Sequence, residues 1–412
     1  MRTLTPLLLL VITFASVAVG QSKKDKIEIG VQTTSLTIAN PELPFDDVQG
    51  GIGARITYNF NRSIAAEADI NFFPQKQFIL NADGSAIQAQ FGVKLGKRFE
   101  KFGLFGKVRP GFLSVNRVGT FIPPGSQVPD PQFFSFERKT FFTLDIGGVL
   151  ELYPSRRTVV RFEAGDTLLR HPDRFPLGGV FPGQPPQPIT PAEFTHNFQF
   201  TAGVGFRLGD FPDDEPDVQT SGSGKERTKR FEVGAQFTSL FVRPPNLPGL
   251  ASVSRTHSEP GGGVRFTFNL TDSIAFEAEG NYFAREQFGL IQAGGHMFQG
   301  QFGGKVGKRF DRWGVFGKAR PGFVGFSRVL EFPLFGGVQV PGLIFVRKFY
   351  PSVDVGGVIE FYVSPRWMAR FDIGDTIINY DEIRIPGTPA PFIIPGATRH
   401  NLQLSSGIGF RF

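Results

Sequence analysis

The chain contains no cysteine, so neither disulfide staples nor thiolate-bound metal can hold it together. After residue 20 it has no run of about 18 apolar residues, which leaves no segment able to cross a bilayer as a helix. Its 44 Lys and Arg against 37 Asp and Glu give a net charge of +7. These charges are scattered, however, and form no basic stripe or recognition motif, which argues against a nucleic-acid partner. Tryptophan is scarce at 2 residues, whereas Phe numbers 48 and Gly 51 in 412. That composition belongs to strands and tight turns.

At the N-terminus, Arg2, the apolar "LLLLVITFASVAVG" and the small residues Ala18 and Gly20 predict an export signal over 1–20. The rest is one unit used twice. "SIAAEADINFF" (63–73) returns as "SIAFEAEGNYF" (273–283), and "GKVRPGF" (106–112) as "GKARPGF" (317–323). "HNFQFTAGVGFRL" likewise returns as "HNLQLSSGIGFRF". The repeats occupy 27–208 and 231–412, joined by a Pro-, Gly- and charge-rich tether over 209–230 that reads as a periplasmic linker.

Each repeat shows period-2 alternation in eight segments of about ten residues, with connections that are short and long in turn. This predicts an all-β, antiparallel up-and-down barrel. Alternation alone is equally compatible with a half-buried sheet of a soluble periplasmic protein. The charges discriminate, because nearly all of those within strands fall on one phase. In the first repeat these are Glu28, Arg55, Glu67, Asp69, Lys94, Lys107, Arg109, Asp145, Glu151, Arg161, Glu163 and Arg207. In the second they are Glu232, Arg265, Glu277, Glu279, Lys305, Lys318, Arg320, Asp354, Glu360, Arg370, Asp372 and Arg411. Both sets hold equal numbers of cations and anions, as a barrel too narrow for bulk water requires. Two eight-stranded barrels are therefore expected. A single sixteen-stranded barrel around an aqueous channel is the alternative.

Eight amphipathic strands per repeat, the export signal and the terminal strand "GIGFRF" resemble the eight-stranded outer-membrane β-barrel family of Gram-negative bacteria, including the opacity-protein and OmpA-like membrane domains. The resemblance implies residence in the cell outer membrane, contact with its lipid and lipopolysaccharide, and a structural, adhesive or small-solute permeability role. It also implies that Phe410 and Phe412 form the signal read by the barrel-insertion machinery.

Signals for chemistry are sparse. His196 and His400 lie near the outer end of the last strand of each repeat, but no serine is placed beside them for activation. Asp166 and Asp375, in the repeated "GDT", offer too few oxygens for a cation and read as marking the end of the lipid-facing segment. "GGGVRF" precedes a strand, not a helix, so it makes no phosphate-cradling loop. No enzyme activity, metal or cofactor is expected, and no extracellular ligand is specified. Arg117, Arg138, Lys139, Arg328, Arg347 and Lys348 fall at the outer strand ends, suited to lipopolysaccharide phosphates or to interfacial snorkelling. Pro110 and Pro321 each remove a ladder donor, which predicts a bulge there.

Overall fold

The computed structural model describes residues 27–39, 47–74, 83–121, 134–173, 192–208, 229–245, 256–287, 293–331, 334–335, 338–339, 344–385 and 392–412. The segment read as an export signal and most of the tether lie outside them. The first repeat comprises β1 (Ile27–Ile38), β2 (Asp47–Asn59), β3 (Ile64–Phe73), β4 (Asp83–Arg98), β5 (Phe102–Phe121), β6 (Phe134–Leu152), β7 (Thr158–His171), a short β8 (Glu193–Thr195) and β9 (Phe198–Leu208). Strands β1 to β7 pair in succession, and β9 closes the ring by pairing with both β7 and β1.

The second repeat closes through β10 (Phe231–Val242), β11 (His257–Asn269), β12 (Ile274–Gln287), β13 (Gly294–Arg309), β14 (Trp313–Glu331), β17 (Ile344–Tyr362), β18 (Trp367–Tyr380) and β21 (Ala397–Arg411). Two small hairpins, β15 (Leu334–Phe335) with β16 (Val338–Gln339) and β19 (Ile383–Ile385) with β20 (Phe392–Ile394), stand at its far end. The fold is therefore two closed eight-stranded barrels. The sixteen-stranded alternative is excluded, because β1 pairs with β9 and β10 with β21, so each repeat consumes its own edges.

The tight turns fold locally. Asn61 Oδ1 accepts the amides of Ser63 and Ile64, each at 2.8 Å. Thr271 Oγ1 does the same in the second repeat at 3.1 and 3.0 Å. Ser155 and Ser364 close another turn pair in the same way. A side-chain oxygen standing in for a ladder partner makes such turns stable without length.

The expected bulge at proline does not occur. Pro110 pairs with Leu144 and Pro321 with Val353 in unbroken register. On the other side, pairing lapses between Gln90–Gly111 and Val93–Val108 and resumes without a shift. Glycine explains the difference. A Cβ at Gly92 would stand 2.1 Å from the Val108 carbonyl oxygen, and one at Gly111 would stand 2.2 Å from that of Ala89. Gly303 and Gly322 repeat this at 2.2 and 2.0 Å. The two backbones close up around the missing donor, so no extra residue is needed. The register shifts lie farther out, between Val115 and Val118 and between Phe326 and Val329.

Candidate functional site: the filled lumen and its rim

Each lumen is layered. Toward the short-turn end lies an ionic layer built from the charges that share the inward phase. Arg109 is its centre in the first barrel, contacting Asp69 at 2.6 Å, Asp145 at 2.7 Å and Glu163 at 2.8 Å. Lys107 bonds Asp145 at 2.7 Å and Glu163 at 2.8 Å. Arg161 grips Glu67 with both terminal nitrogens and reaches Glu163 at 2.5 Å. Lys94 bonds Glu151, and Arg55 bonds Glu28 at 3.1 Å. All twelve first-repeat charges expected on the inward phase are buried.

The second barrel repeats the plan. Arg320 contacts Glu279 at 2.5 Å and Asp354 at 2.6 Å, and Lys318 bonds Asp354 at 2.8 Å. Arg370 grips Glu277 and bonds Asp372 at 2.7 Å. Lys305 bonds Glu360, and Arg265 donates to Gln236 at 2.9 Å while standing 3.9 Å from Asp372. Charges taken out of water persist only when paired and hydrogen-bonded in this way.

Two members lie outside the set expected from the sequence: Arg98 donates to Tyr153, Asn59 and Glu151, and Arg309 to Glu232 and Asn269. Their signal was available, since Arg98 lies four residues beyond Lys94 and shares its phase. They add a cation to the balanced count at the short-turn end. There the ring of Tyr153 lies 4.4 Å from the Arg207 guanidinium and that of Tyr362 lies 4.5 Å from Arg411, which spreads the excess charge over aromatic faces.

Above the ions comes an amide and hydroxyl layer. Gln32 donates to Asn71, Asn71 to Gln88, and Gln88 to Gln199, which also accepts from Thr167. Gln236, Asn281, Gln299, Gln403 and Thr376 form the same chain in the second barrel. Above that again the inward phase turns apolar. Leu36, Ile38, Phe73, Ala86, Leu113, Val115 and Leu169 close one lumen. Leu240, Phe283, Met297, Val324, Phe326, Tyr350 and Tyr380 are among those closing the other. A single polar phase inside and a single apolar phase outside hold, therefore, only for the lower part of each barrel.

The outer surface reverses at the same height. On β5 it reads Leu104, Val108, Pro110 and Phe112, then Ser114 and Asn116. From Phe102 to Phe112 the strand covers about 33 Å, or about 25 Å along a barrel axis tilted near 40°, the height of an outer-membrane apolar band. Rings gather at the short-turn edge of this band, with Phe99 on Phe102, Phe310 on Trp313, and Phe412 on Phe231 and Phe410. Phe410 packs edge-on against Trp367 at 5.1 Å. Within the band, Val31, Phe91, Val264 and Phe302 are each more than 60 % exposed. The 20 residues of β5 reach about 66 Å along the strand. The far part of the barrel therefore stands clear of the band, and its apolar lumen is an ordinary core.

At the far edge of the band the structure joins residues that the sequence left apart. Asp166 Oδ2 meets His196 Nδ1 at 2.5 Å while its Oδ1 accepts the Asn197 amide at 2.9 Å. Asp375, His400 and Asn401 repeat the arrangement at 2.5 and 3.0 Å. The aspartate thus orients the ring in both repeats; the β7–β9 ladder ends at Asp166, whereas β18 and β21 stay paired beyond Asp375 as far as Tyr380. Among the described residues no group of three or more His, Cys, Asp or Glu could hold a metal. Of the outer cations, Arg138 donates to Asn116 at 3.1 Å. Arg328 lies over Phe345 and Arg347 over Phe298, and Lys348 pairs with Asp381 at 3.3 Å. The side chain of Arg117 lies outside the described residues.

No protein-family model matches the chain, and no curated protein does. Solved structures similar to it include Neisserial surface protein A, 10% identical over 45% of this chain and 100% of that one, with a TM-score of 0.30. Ail, the attachment invasion locus protein of Yersinia pestis, is 13% identical over 45% and 100%, with a TM-score of 0.29. A Pseudomonas aeruginosa FadL homologue is 10% identical over 95% and 91%, with a TM-score of 0.28.

Proposed function

We propose that this chain is a bacterial outer-membrane protein whose two filled barrels are non-conducting, non-catalytic anchors presenting long hairpins for contact outside the cell. The observation that carries this reading is the lumen itself, with ions, amides and an apolar cap stacked in sequence. Arg109, Asp145, Arg161 and Glu151 are at most 1 % exposed. A permeation path would have to break buried ion pairs and then cross a dry apolar layer. The apolar belt supports the membrane reading, since a soluble protein rarely leaves so continuous an apolar surface uncovered. In this reading the short turns and both repeat ends face the periplasm, and the belt contacts lipid and lipopolysaccharide. Half-buried Phe410 and exposed Phe412, on the belt's lower edge, are presented to the insertion machinery.

Membrane fractionation followed by planar-bilayer recording of the purified full chain tests the proposal. Recovery with the outer membrane and an absence of steady openings are expected. Steady nanosiemens-scale openings would overturn the anchor reading, and recovery as a soluble periplasmic protein would overturn the membrane reading.

A further inference from the structure

Outward-facing side chains on the belt are mostly well exposed, yet one strip is not. Ser35, Ser239, Ser258 and Ser406 point away from their own barrels and are only 5, 6, 0 and 6 % exposed. What covers them is the other barrel. Phe200 stacks on Phe237 with centroids 4.0 Å apart, and Phe162 on Phe371 at 6.0 Å and 3°. A Cβ added to Gly50 would lie 2.3 Å from Cζ of Phe241.

Aligning the repeats shows why these faces suit each other. Phe241 occupies the position of Thr37, Phe237 that of Thr33, and Pro260 that of Gly50. Phe241 of the second repeat is received by Gly50 of the first, and Phe237 lies against Phe200 there. Two copies of the first face would set Thr37 against Gly50 and leave a void. Two copies of the second would set Phe241 against Pro260 and collide. From one ancestral surface the repeats have diverged into a knob and a hole.

We infer that the outward face of β7, β9, β1 and β2 is a dedicated docking surface for the outward face of β18, β21, β10 and β11 of the same chain. The two barrels form one locked unit in the membrane and are not independent bodies on a tether. The serines fit this arrangement. A hydroxyl turned toward acyl chains finds no partner there, whereas here Ser35, Ser239 and Ser406 line one small pocket between the barrels with Thr33.

The test introduces a protease site into the tether of the full chain and an affinity tag on one half. After cleavage in mild detergent the halves should co-purify. Gly50→Phe should abolish co-purification while both halves keep the heat-modifiable mobility of folded barrels, and adding Phe241→Ala should restore it. Folded wild-type halves that separate on cleavage, or Gly50→Phe halves that stay together, would overturn the inference. Because the chain has no cysteine, Ser35→Cys with Ser239→Cys gives a second reading even if Gly50→Phe fails to fold. A short thiol crosslinker applied to cells should then join residues within one chain, and crosslinks only between chains would refute the lock.

Discussion

The ionic layers of the two barrels differ by one reciprocal exchange, and this permits a sharp test. Asp69 and Glu163 in the first barrel stand where Glu279 and Asp372 stand in the second. In the first barrel both carboxylates touch Arg109, at 2.6 and 2.8 Å. Asp69→Glu alone adds a methylene to a closed, filled site, which costs about 1–3 kcal/mol. Glu163→Asp alone withdraws a carboxylate by about 1.5 Å, one carbon–carbon bond. Arg109, Lys107 and Arg161 all lie within 2.8 Å of that carboxylate. Its retreat should cost a similar ~1–3 kcal/mol, a fraction of the ~3–5 kcal/mol lost when a buried pair is broken outright. Made together, the changes recreate the second barrel's arrangement and should return stability to within about 1 kcal/mol of the parent. The coupling energy would then be at least about 1 kcal/mol, within the ~0.5–3 kcal/mol seen for residues sharing one network. Denaturant titration in detergent, following the heat-modifiable band, measures all four corners of the cycle. If the double substitution costs the sum of the singles within about 0.5 kcal/mol, the two carboxylates do not share Arg109 as described.

Further substitutions probe the ionic layers and the proline gap. Arg109→Ala should destabilise the first barrel by about 3–5 kcal/mol, because Asp69, Asp145 and Glu163 each lose a buried partner. Arg320→Ala should do the same to the second barrel, and an unchanged unfolding midpoint for either would count against the network. Gly92→Ala places a methyl 2.1 Å from a backbone carbonyl beside the proline gap and should cost about 1–3 kcal/mol. Gly148→Ala meets nothing within 4 Å and serves as the control; equal midpoints for the two variants would refute the close approach of β4 and β5.

Strand phase and the charges within it were legible in the sequence because the period of 2 assigns every residue to one face once a few charges are placed. That is why Lys107 and Arg109 could be put inside together, with Pro110 facing outward. Arg98 escaped because it sits in "GKRFEK", where the turn composition outweighs the phase. The apolar cap escaped for a different reason. Alternation shows which residues share a face, but whether Phe73 or Phe326 faces lipid or lumen depends on its height along the axis. Three-dimensional pairing decided the remainder: that Asp166 reaches His196 across 30 residues, and that a glycine on β4 makes room for a proline on β5.

The duplication supplies its own control on what each surface must do. Inside the lumen every charge keeps its sign, and the one change of length, Asp69 with Glu163 becoming Glu279 with Asp372, sets a lengthening against a shortening within one ionic layer. A closed interior leaves no slack for a solitary change in charge or volume. On the lipid face, by contrast, replacements such as Phe198 for Leu402 are free, since any apolar side chain satisfies acyl chains. The strip bearing Thr33, Thr37 and Gly50 follows neither pattern: its substitutions are large, and they are complementary across the seam to those at Phe237, Phe241 and Pro260. Surfaces that face only lipid have no reason to diverge in matched pairs. Had the barrels merely been tethered, Phe241 would need no glycine opposite it.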